Sequence, residues 1–163
     1  MSSVSKGNDF ELEIQRILRN MNIESYQIKL ANGDGGKDLM GNYAGNLLLF
    51  QCKNYAEKNK VTVDDIRQFE GVMSRYPGET IGVFVVPSKT NNYTRRATEE
   101  ANNSKYTIIL TDKLNICHDI LSKTLENYNN DDNFIRFRID GKISNKYILL
   151  MEMLKGSLIN YER

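Results

Sequence analysis

The sequence predicts an α/β fold in which a mixed sheet is flanked by helices. Segments with helical and strand periodicity follow one another in the order α-β-β-β-α-β-α-β. Three successive strands joined by short turns favour an antiparallel arrangement, and the later β-α-β unit favours a parallel pair. The length of 163 residues fits one main core. We therefore expect an αβββαβ core followed by a C-terminal extension.

The N-terminal half supplies the first helix and three strands. A helix is predicted over Asp9–Met21, because apolar side chains recur every three or four positions and Asn8 or Asp9 can cap it. The following elements are a strand at Tyr26–Leu30, a glycine-rich turn at Ala31–Lys37, a strand at Asp38–Tyr43, a turn at Asn42–Asn46 and an apolar strand at Leu47–Lys53.

The second half begins with a helix that Thr62 and Asp65 can cap and that ends before Tyr76-Pro77-Gly78. It continues with a charge-free strand at Thr80–Val86, a helix at Asn92–Asn102, a strand at Tyr106–Leu110 and a helix at Lys113–Tyr128. Beyond the polar run Asn127–Asn133 lie a strand candidate, Phe134–Ile139, and a helix candidate near Lys146–Lys155. We therefore predict a core domain over residues 1–128 and an extension over 129–163 that packs on the core or dimerises.

Composition excludes several classes of protein. The 22 basic and 21 acidic residues leave a net charge of +1, which neither indicates nor excludes a nucleic-acid partner. Two cysteines and one histidine argue against a disulfide scaffold, a zinc cluster and a serine hydrolase. The apolar runs are far shorter than the roughly 18 residues of a membrane helix. The polar, then acidic, N-terminus predicts no leader, so we expect an intracellular protein, cytoplasmic or, in a eukaryote, nuclear.

Gln51 and Lys53 stand out because they follow an otherwise apolar strand. Side chains alternate along a strand, so both share a face with Leu47 and Leu49. Burying the two without partners would cost about 1–3 kcal/mol each, so a polar group should face them, and Asp38 on the neighbouring strand is well placed. On these residues alone, the alternative that the strand ends at Phe50 and both side chains are solvated is equally open.

Three segments of the chain form one pattern: Phe10-Glu11, Gly33-Asp34-Gly35-Gly36-Lys37-Asp38 and Gln51-Cys52-Lys53. Together they resemble the catalytic signature of the Mrr-like restriction endonucleases. This family is part of the PD-(D/E)xK nuclease superfamily, with Gln in place of the middle acid. The resemblance covers roughly residues 5 to 115 and includes Tyr93-Thr94 with Ala97 and Ala101. It implies a restriction-endonuclease-like αβββαβ core, in agreement with the predicted order of elements.

The resemblance also implies a metal-dependent mechanism. Asp38 would be the main ligand of Mg²⁺, for which Mn²⁺ could substitute, and Gln51 would offer a neutral carbonyl oxygen. Glu11 would hold the ion directly or through water. Lys53 would orient or help deprotonate the attacking water and stabilise charge in the transition state.

Further residues are candidates for DNA binding, each with a structural alternative. Gly35 and Gly36 could let backbone amides approach a phosphate, although a simple turn is the alternative. Gln68 could approach the site or pack at the edge of the core. Backbone amides and cationic side chains near the start of the third predicted helix could bind phosphate. The alternative is that they only cap the helix and form a solvated face. These residues are Ser88, Lys89, Thr94, Arg95 and Arg96.

The resulting hypothesis is a metal-dependent DNA endonuclease with little intrinsic sequence specificity. The alternatives are a structure-selective junction resolvase, a non-catalytic DNA-binding module with a nuclease fold, and an interaction domain without a nucleic-acid role. We expect a homodimer formed through Phe134–Ile159, and a partner protein is a candidate source of specificity.

Overall fold

The computed structural model describes the backbone of residues 3–28 and 38–129 and the side chains of residues 9–28 and 39–126. In chain order, the elements in these ranges are α1 (Ser3–Asn20), β1 (Ser25–Ile28), β2 (Asp38–Tyr43), β3 (Asn46–Cys52), α2 (Val63–Met73), β4 (Ile81–Val86), α3 (Lys89–Asn92), α4 (Arg95–Asn102), β5 (Thr107–Asp112) and α5 (Ile116–Asn129). The chain forms two compact units, Met1–Ile120 and Leu121–Arg163, and the sheet belongs to the first.

The five strands form one mixed sheet in the order β1-β2-β3-β4-β5. The first three strands pair antiparallel, and β3, β4 and β5 pair parallel. A two-residue turn joins β2 to β3, with φ of 50° at Ala44 and 80° at Gly45, as in the tight hairpin turns whose twist suits antiparallel strands. The predicted mixed sheet flanked by helices is confirmed.

One face of the sheet packs against α2 and α4. Phe69 of α2 meets Phe84 of β4 edge to face, with ring centroids 5.7 Å apart. Helix α2 begins where expected, because the Thr62 side chain accepts from the Asp65 N–H and the Asp65 carboxylate accepts from the Thr62 N–H. The buried residues of this core are Leu49, Val61, Ile66, Phe69, Val72, Met73, Phe84, Val86, Ala97 and Ala101.

Helix α1 contacts β1, β2 and β3. Its buried stripe includes Phe10, Ile14 and Leu18. The chain after α1 lies close to β2, since a Cβ at Gly41 would come within 2.8 Å of the Glu24 carbonyl oxygen. Strand β4 is buried at every position, which explains why its sequence carries no charge.

Several predicted bounds are wrong. Helix α1 starts at Ser3, so Asn8 and Asp9 lie inside it and do not cap it. The helix predicted at Asn92–Asn102 is two helices, because Tyr93 is extended and forms a bridge with Val61. Strand β5 extends to Asp112, and α5 therefore begins at Ile116.

Other predictions lie outside the described residues: the turn at Ala31–Lys37, the linker beyond residue 129, the strand at Phe134–Ile139 and the helix near Lys146–Lys155. The division at residues 128 and 129 therefore stays a prediction. Among the described helices, none is both long enough and apolar enough to cross a membrane.

Candidate active site

Gln51 and Lys53 lie at the end of β3, inside the paired region of the sheet. Gln51 pairs with Phe84 and Cys52 with Val85 on β4. The N–H of Lys53 then donates to the Val85 carbonyl at 2.9 Å, which extends the ladder by one residue. The alternative in which the strand ends at Phe50 is wrong, and the backbone of Lys53 is fixed by β4.

The Gln51 side chain is a polar group in an apolar setting. The residue is only 9% exposed, and alternation places it on the face of Leu49, which belongs to the core under α2 and α4. Its neighbour on β4 is the fully buried Phe84. An amide in such a place is costly unless it is hydrogen-bonded, so its presence indicates a specific polar role. Lys53, on the same face, is half-buried.

The backbone of Asp38 lies beside Gln51. Leu39 of β2 pairs with Phe50 of β3, so the next position of this antiparallel register sets Asp38 opposite Gln51. Directly opposed residues of such a pair have Cα atoms about 4.5–5.5 Å apart. On its other side, Asp38 pairs with Ile28 of β1. The side chain of Asp38 is outside the described ones, and the register by itself brings the two sequence positions together.

Glu11 reaches the sheet from α1. It is 4% exposed and shares the buried stripe of the helix with Ile14 and Leu18. Since α1 contacts β2 and β3, the acid comes from an element packed on the two strands that carry Asp38 and Gln51. A carboxylate this buried requires compensation by hydrogen bonds or positive charge.

No three His, Cys, Asp or Glu side chains cluster as metal ligands among the described residues. The ligand set implied by the sequence includes Asp38, whose side chain is not among them, and Gln51, which is an amide. All three implied ligands offer oxygen atoms, as hard divalent cations prefer.

The family resemblance also includes Tyr93-Thr94 with Ala97 and Ala101, and these residues stabilise the fold. The Tyr93 hydroxyl lies 2.6 Å from the Phe84 carbonyl oxygen and 3.0 Å from that of Thr111, so it links β4 to β5. Burial raises the pKa of Tyr93 well above its ordinary value. Thr94 caps α4 by accepting from the Ala97 N–H.

The candidates for DNA binding divide into capping, paired and exposed residues. Ser88 is the N-cap of α3 and Thr94 is the N-cap of α4, so both have the capping role that was the alternative to DNA binding. Lys89 pairs with Asp119 at 3.1 Å and Arg95 with Glu99 at 2.8 Å. The remaining described candidates, Gln68 and Arg96, are exposed. Gly35 and Gly36 lie outside the described residues.

Sequence reasoning missed a polar cluster where β5 ends. The Asp112 carboxylate accepts hydrogen bonds from the backbone N–H groups of Lys89, Leu114 and Asn115 and from the Asn115 side chain. Burial alone would raise the pKa of Asp112, but these hydrogen bonds outweigh it and the pKa lies below its ordinary value. An Asp-x-x-Asn pattern at the end of a strand is typical of such a turn, so the sequence contained a signal that could have predicted this cluster.

Sequence reasoning also missed Asn92. This buried residue (1% exposed) donates from Nδ2 to the carbonyl oxygens of Ala56 and Asn59, in the loop that follows Lys53. No sequence signal distinguishes it from the many other Asn residues of the chain.

Comparison with known proteins identifies relatives for most of the chain. A family model described as Mrr_cat, restriction endonuclease, matches residues 3–119. An uncharacterized Schizosaccharomyces pombe protein described as mitochondrial is 31% identical over 91 residues, which cover 50% of this chain and 35% of that protein. That description differs from the cytoplasmic or nuclear location expected from the sequence.

Among solved structures, the MspJI restriction endonuclease in complex with a 27-mer oligonucleotide is similar, with 19% identity and a TM-score of 0.45. The match covers 67% of this chain and 26% of that one. The chain therefore spans about a third of the length of its yeast relative and about a quarter of the MspJI chain.

Proposed function

Because this chain belongs to the restriction endonuclease family, we propose that it is a metal-dependent endonuclease that hydrolyses phosphodiester bonds of DNA with little intrinsic sequence specificity. The observation that carries the proposal is the amide of Gln51, buried at the end of β3 with the backbone of Asp38 opposite in register. Lys53 follows on the same face of the strand. These positions support a site formed by Asp38, Gln51 and Lys53.

The donor set suits a hard divalent cation. Asp38 and Glu11 would supply carboxylate oxygens and Gln51 a carbonyl oxygen, and two acids balance the two charges of Mg²⁺ or Mn²⁺. The deep burial of Glu11 supports a site in which positive charge compensates the acid. When bound, the ion would supply positive charge that offsets the charge of the phosphate during hydrolysis. Exchange of one acid for Gln51 should weaken metal binding relative to a Glu-x-Lys site.

Lys53 would act on the water and on the phosphate. Its ammonium carries three donors and no acceptor, so it would orient the attacking water and stabilise negative charge that develops on the phosphate oxygens. The hydrogen bond from its backbone N–H to the Val85 carbonyl fixes the point from which the side chain extends. The Gln51 amide would help to orient the same groups through its own donors.

The test is the nicking of supercoiled plasmid with Mg²⁺ or Mn²⁺. We expect Asp38→Ala and Lys53→Ala each to lower the rate about 10²-fold or more, the usual loss when a proton-transfer or charge-stabilising group is removed. EDTA should abolish cleavage. Lys58→Ala is the matched control, because Lys58 is an exposed lysine on the loop that follows Lys53, and it should retain activity.

The other outcomes of this test would refute part of the proposal or favour a different function. Full activity of Lys53→Ala would refute the assigned site. Binding of DNA without cleavage would favour the non-catalytic module, and cleavage of four-way junctions alone would favour the junction resolvase. Loss of both binding and cleavage in folded protein would refute the DNA hypothesis.

Substrate choice and assembly extend the same proposal. Low intrinsic specificity leaves discrimination to DNA structure, to DNA modification or to a partner protein. Homodimerisation through residues 134–159, which lie outside the described residues, would allow one site to act on each strand.

A further inference from the structure

Asn92 ties the loop of residues 54–61 to the start of α3. Its Nδ2 donates to the Ala56 carbonyl at 3.0 Å and to the Asn59 carbonyl at 2.8 Å. Its Oδ1 accepts from the Ser88 N–H at 3.0 Å. Both amide hydrogens and the amide oxygen are therefore used, in a side chain that is almost completely buried.

The loop is held at the point where it turns. The Asn59 N–H donates to the Ala56 carbonyl at 2.8 Å, so Asn92 binds both ends of one tight turn. Further along, the Val61 N–H donates to the backbone carbonyl of Asn92 at 2.7 Å, and the Lys60 ammonium donates to the Asn91 carbonyl at 2.7 Å. The Asn92 side chain binds two backbone carbonyls of the turn itself, whereas the Asn91 side chain meets the turn at the exposed Glu57 carboxylate, at a long 3.4 Å.

The same loop leaves directly from Lys53. The Tyr55 N–H donates to the Lys53 carbonyl at 2.9 Å, and two residues separate Lys53 from Ala56. The N–H of Lys53 is held by Val85 on β4. The backbone around Lys53 is therefore fixed on one side by the sheet and on the other by the turn that Asn92 holds.

We propose that Asn92 is a positioning residue for DNA hydrolysis, which holds the Ala56–Asn59 turn and thereby sets where the Lys53 ammonium lies. The inference rests on the proposed function. Without the Asn92 amide, the Asn59 carbonyl loses this donor and the Ala56 carbonyl keeps the Asn59 N–H alone, so the turn is held less firmly against α3. A displacement of about 1 Å at a reacting group can cost up to about 10²-fold in rate. Because the lysine stem can partly compensate, we expect a loss of about tenfold in kcat with little change in KM.

Two variants and one control separate this role from general destabilisation. Asn92→Ala removes all three side-chain hydrogen bonds. Asn92→Asp keeps the shape and an acceptor for the Ser88 N–H, but it lacks the two donors to the turn. Asn91→Ala is the matched control, because the Asn91 side chain makes only a long contact with exposed Glu57, at 3.4 Å. All rates are measured where circular dichroism shows the variants folded.

A double-mutant cycle with Lys53 tests whether Asn92 acts through it. We expect Asn92→Ala to lower kcat about tenfold in the wild-type background and less than twofold in the Lys53→Ala background. Asn92→Asp should lower kcat by the same factors as Asn92→Ala in each background. Asn91→Ala should leave kcat unchanged in both the wild-type and the Lys53→Ala backgrounds. Equal losses in the two backgrounds would show a merely structural role and would overturn the inference.

Hydrogen exchange supplies a measurement that does not depend on nuclease activity. Amides of residues 54–61 should exchange at least tenfold faster in Asn92→Ala than in Asn91→Ala or the wild type. Unchanged exchange would overturn the inference by itself. A wild-type chain that cleaves no DNA would instead overturn the proposed function, together with the catalytic part of the inference, and exchange would still show whether Asn92 holds the turn.

Discussion

Gly82 lies where α2 presses most closely on the sheet, and Gly82→Ala should destabilise the protein. The glycine is in β4, paired with Leu49 on β3 and Ile108 on β5. An added Cβ would lie 2.8 Å from Met73 Sδ, 2.8 Å from Phe69 Cε1 and 3.1 Å from Phe69 Cζ. Ordinary contacts of a Cβ are 3.4–4 Å, so the helix or both side chains would have to shift by several tenths of an ångström.

The neighbours have little room to move. Phe69 and Met73 are each 1% exposed, and Phe69 is also packed edge to face on Phe84. Overpacking of a tight core costs about 1–3 kcal/mol. Alanine recovers roughly 0.5–1 kcal/mol of that, because it restricts the unfolded chain more than glycine does. The middle of the two ranges gives a net expected loss of about 1 kcal/mol, or a fall in Tm of about 2–4 °C for a chain of this size.

The assay is thermal and urea unfolding followed by circular dichroism, with Gly71→Ala as the matched control. A Cβ at Gly71, on the exposed side of α2, meets nothing within 4 Å. That variant should gain about 0.5–1 kcal/mol from helix propensity. The two substitutions are chemically identical and should move Tm in opposite directions. A Tm of Gly82→Ala at or above the wild type would refute the packing of α2 on β4.

Two further predictions concern a buried acid and a helix cap. The pKa of Asp112 lies below the ordinary 3.8, so its stabilisation is complete above that value and is lost as the pH falls through the folded pKa. We expect the urea midpoints of the wild type and Asp112→Asn to keep a constant gap above the ordinary pKa of 3.8 and to converge as the pH falls below it; a gap that stays constant in acid would contradict this. Thr62→Ala, which breaks the capping box of α2, should lower the free energy of unfolding by about 1 kcal/mol. Thr98→Ala, at an exposed threonine that is not an N-cap, is its control, and equal losses in the two would argue against the cap.

Local features of the chain were predictable. Thr62 and Asp65 are three residues apart, and their capping box follows from this local spacing. The bounds of β2 agree with the expected Asp38–Tyr43. The charge-free run of β4 marks a strand buried on both faces, since burial on both sides excludes unpaired charge.

The split between α3 and α4 was not predictable from periodicity. Tyr93 interrupts the helix because its backbone bridges to Val61 and its hydroxyl meets the carbonyls of Phe84 and Thr111. These partners belong to other strands or loops. Helical periodicity continues through the interruption, as Ala97 and Ala101 are buried on one side of α4, so the local pattern alone favours one helix.

In the candidate site, too, some features were predictable from local sequence and others were not. The residue types Asp38, Gln51 and Lys53 and their spacing identified the family, and a short hairpin makes the opposition of Asp38 and Gln51 a consequence of local register. Asn92 could not be identified in this way, because its partners Ala56 and Asn59 are 36 and 33 residues away.

The sequence by itself determined the order of the helices and strands, the mixed sheet and the residues of the proposed chemistry. These depend on alternation, capping and short turns, which involve neighbours along the chain. Only the tertiary structure decided that Gln51 is buried, that α2 presses on Gly82 and that Asn92 holds the loop beyond Lys53. Burial and the partners of a buried amide depend on which distant segments meet in space, and periodicity carries no information about that.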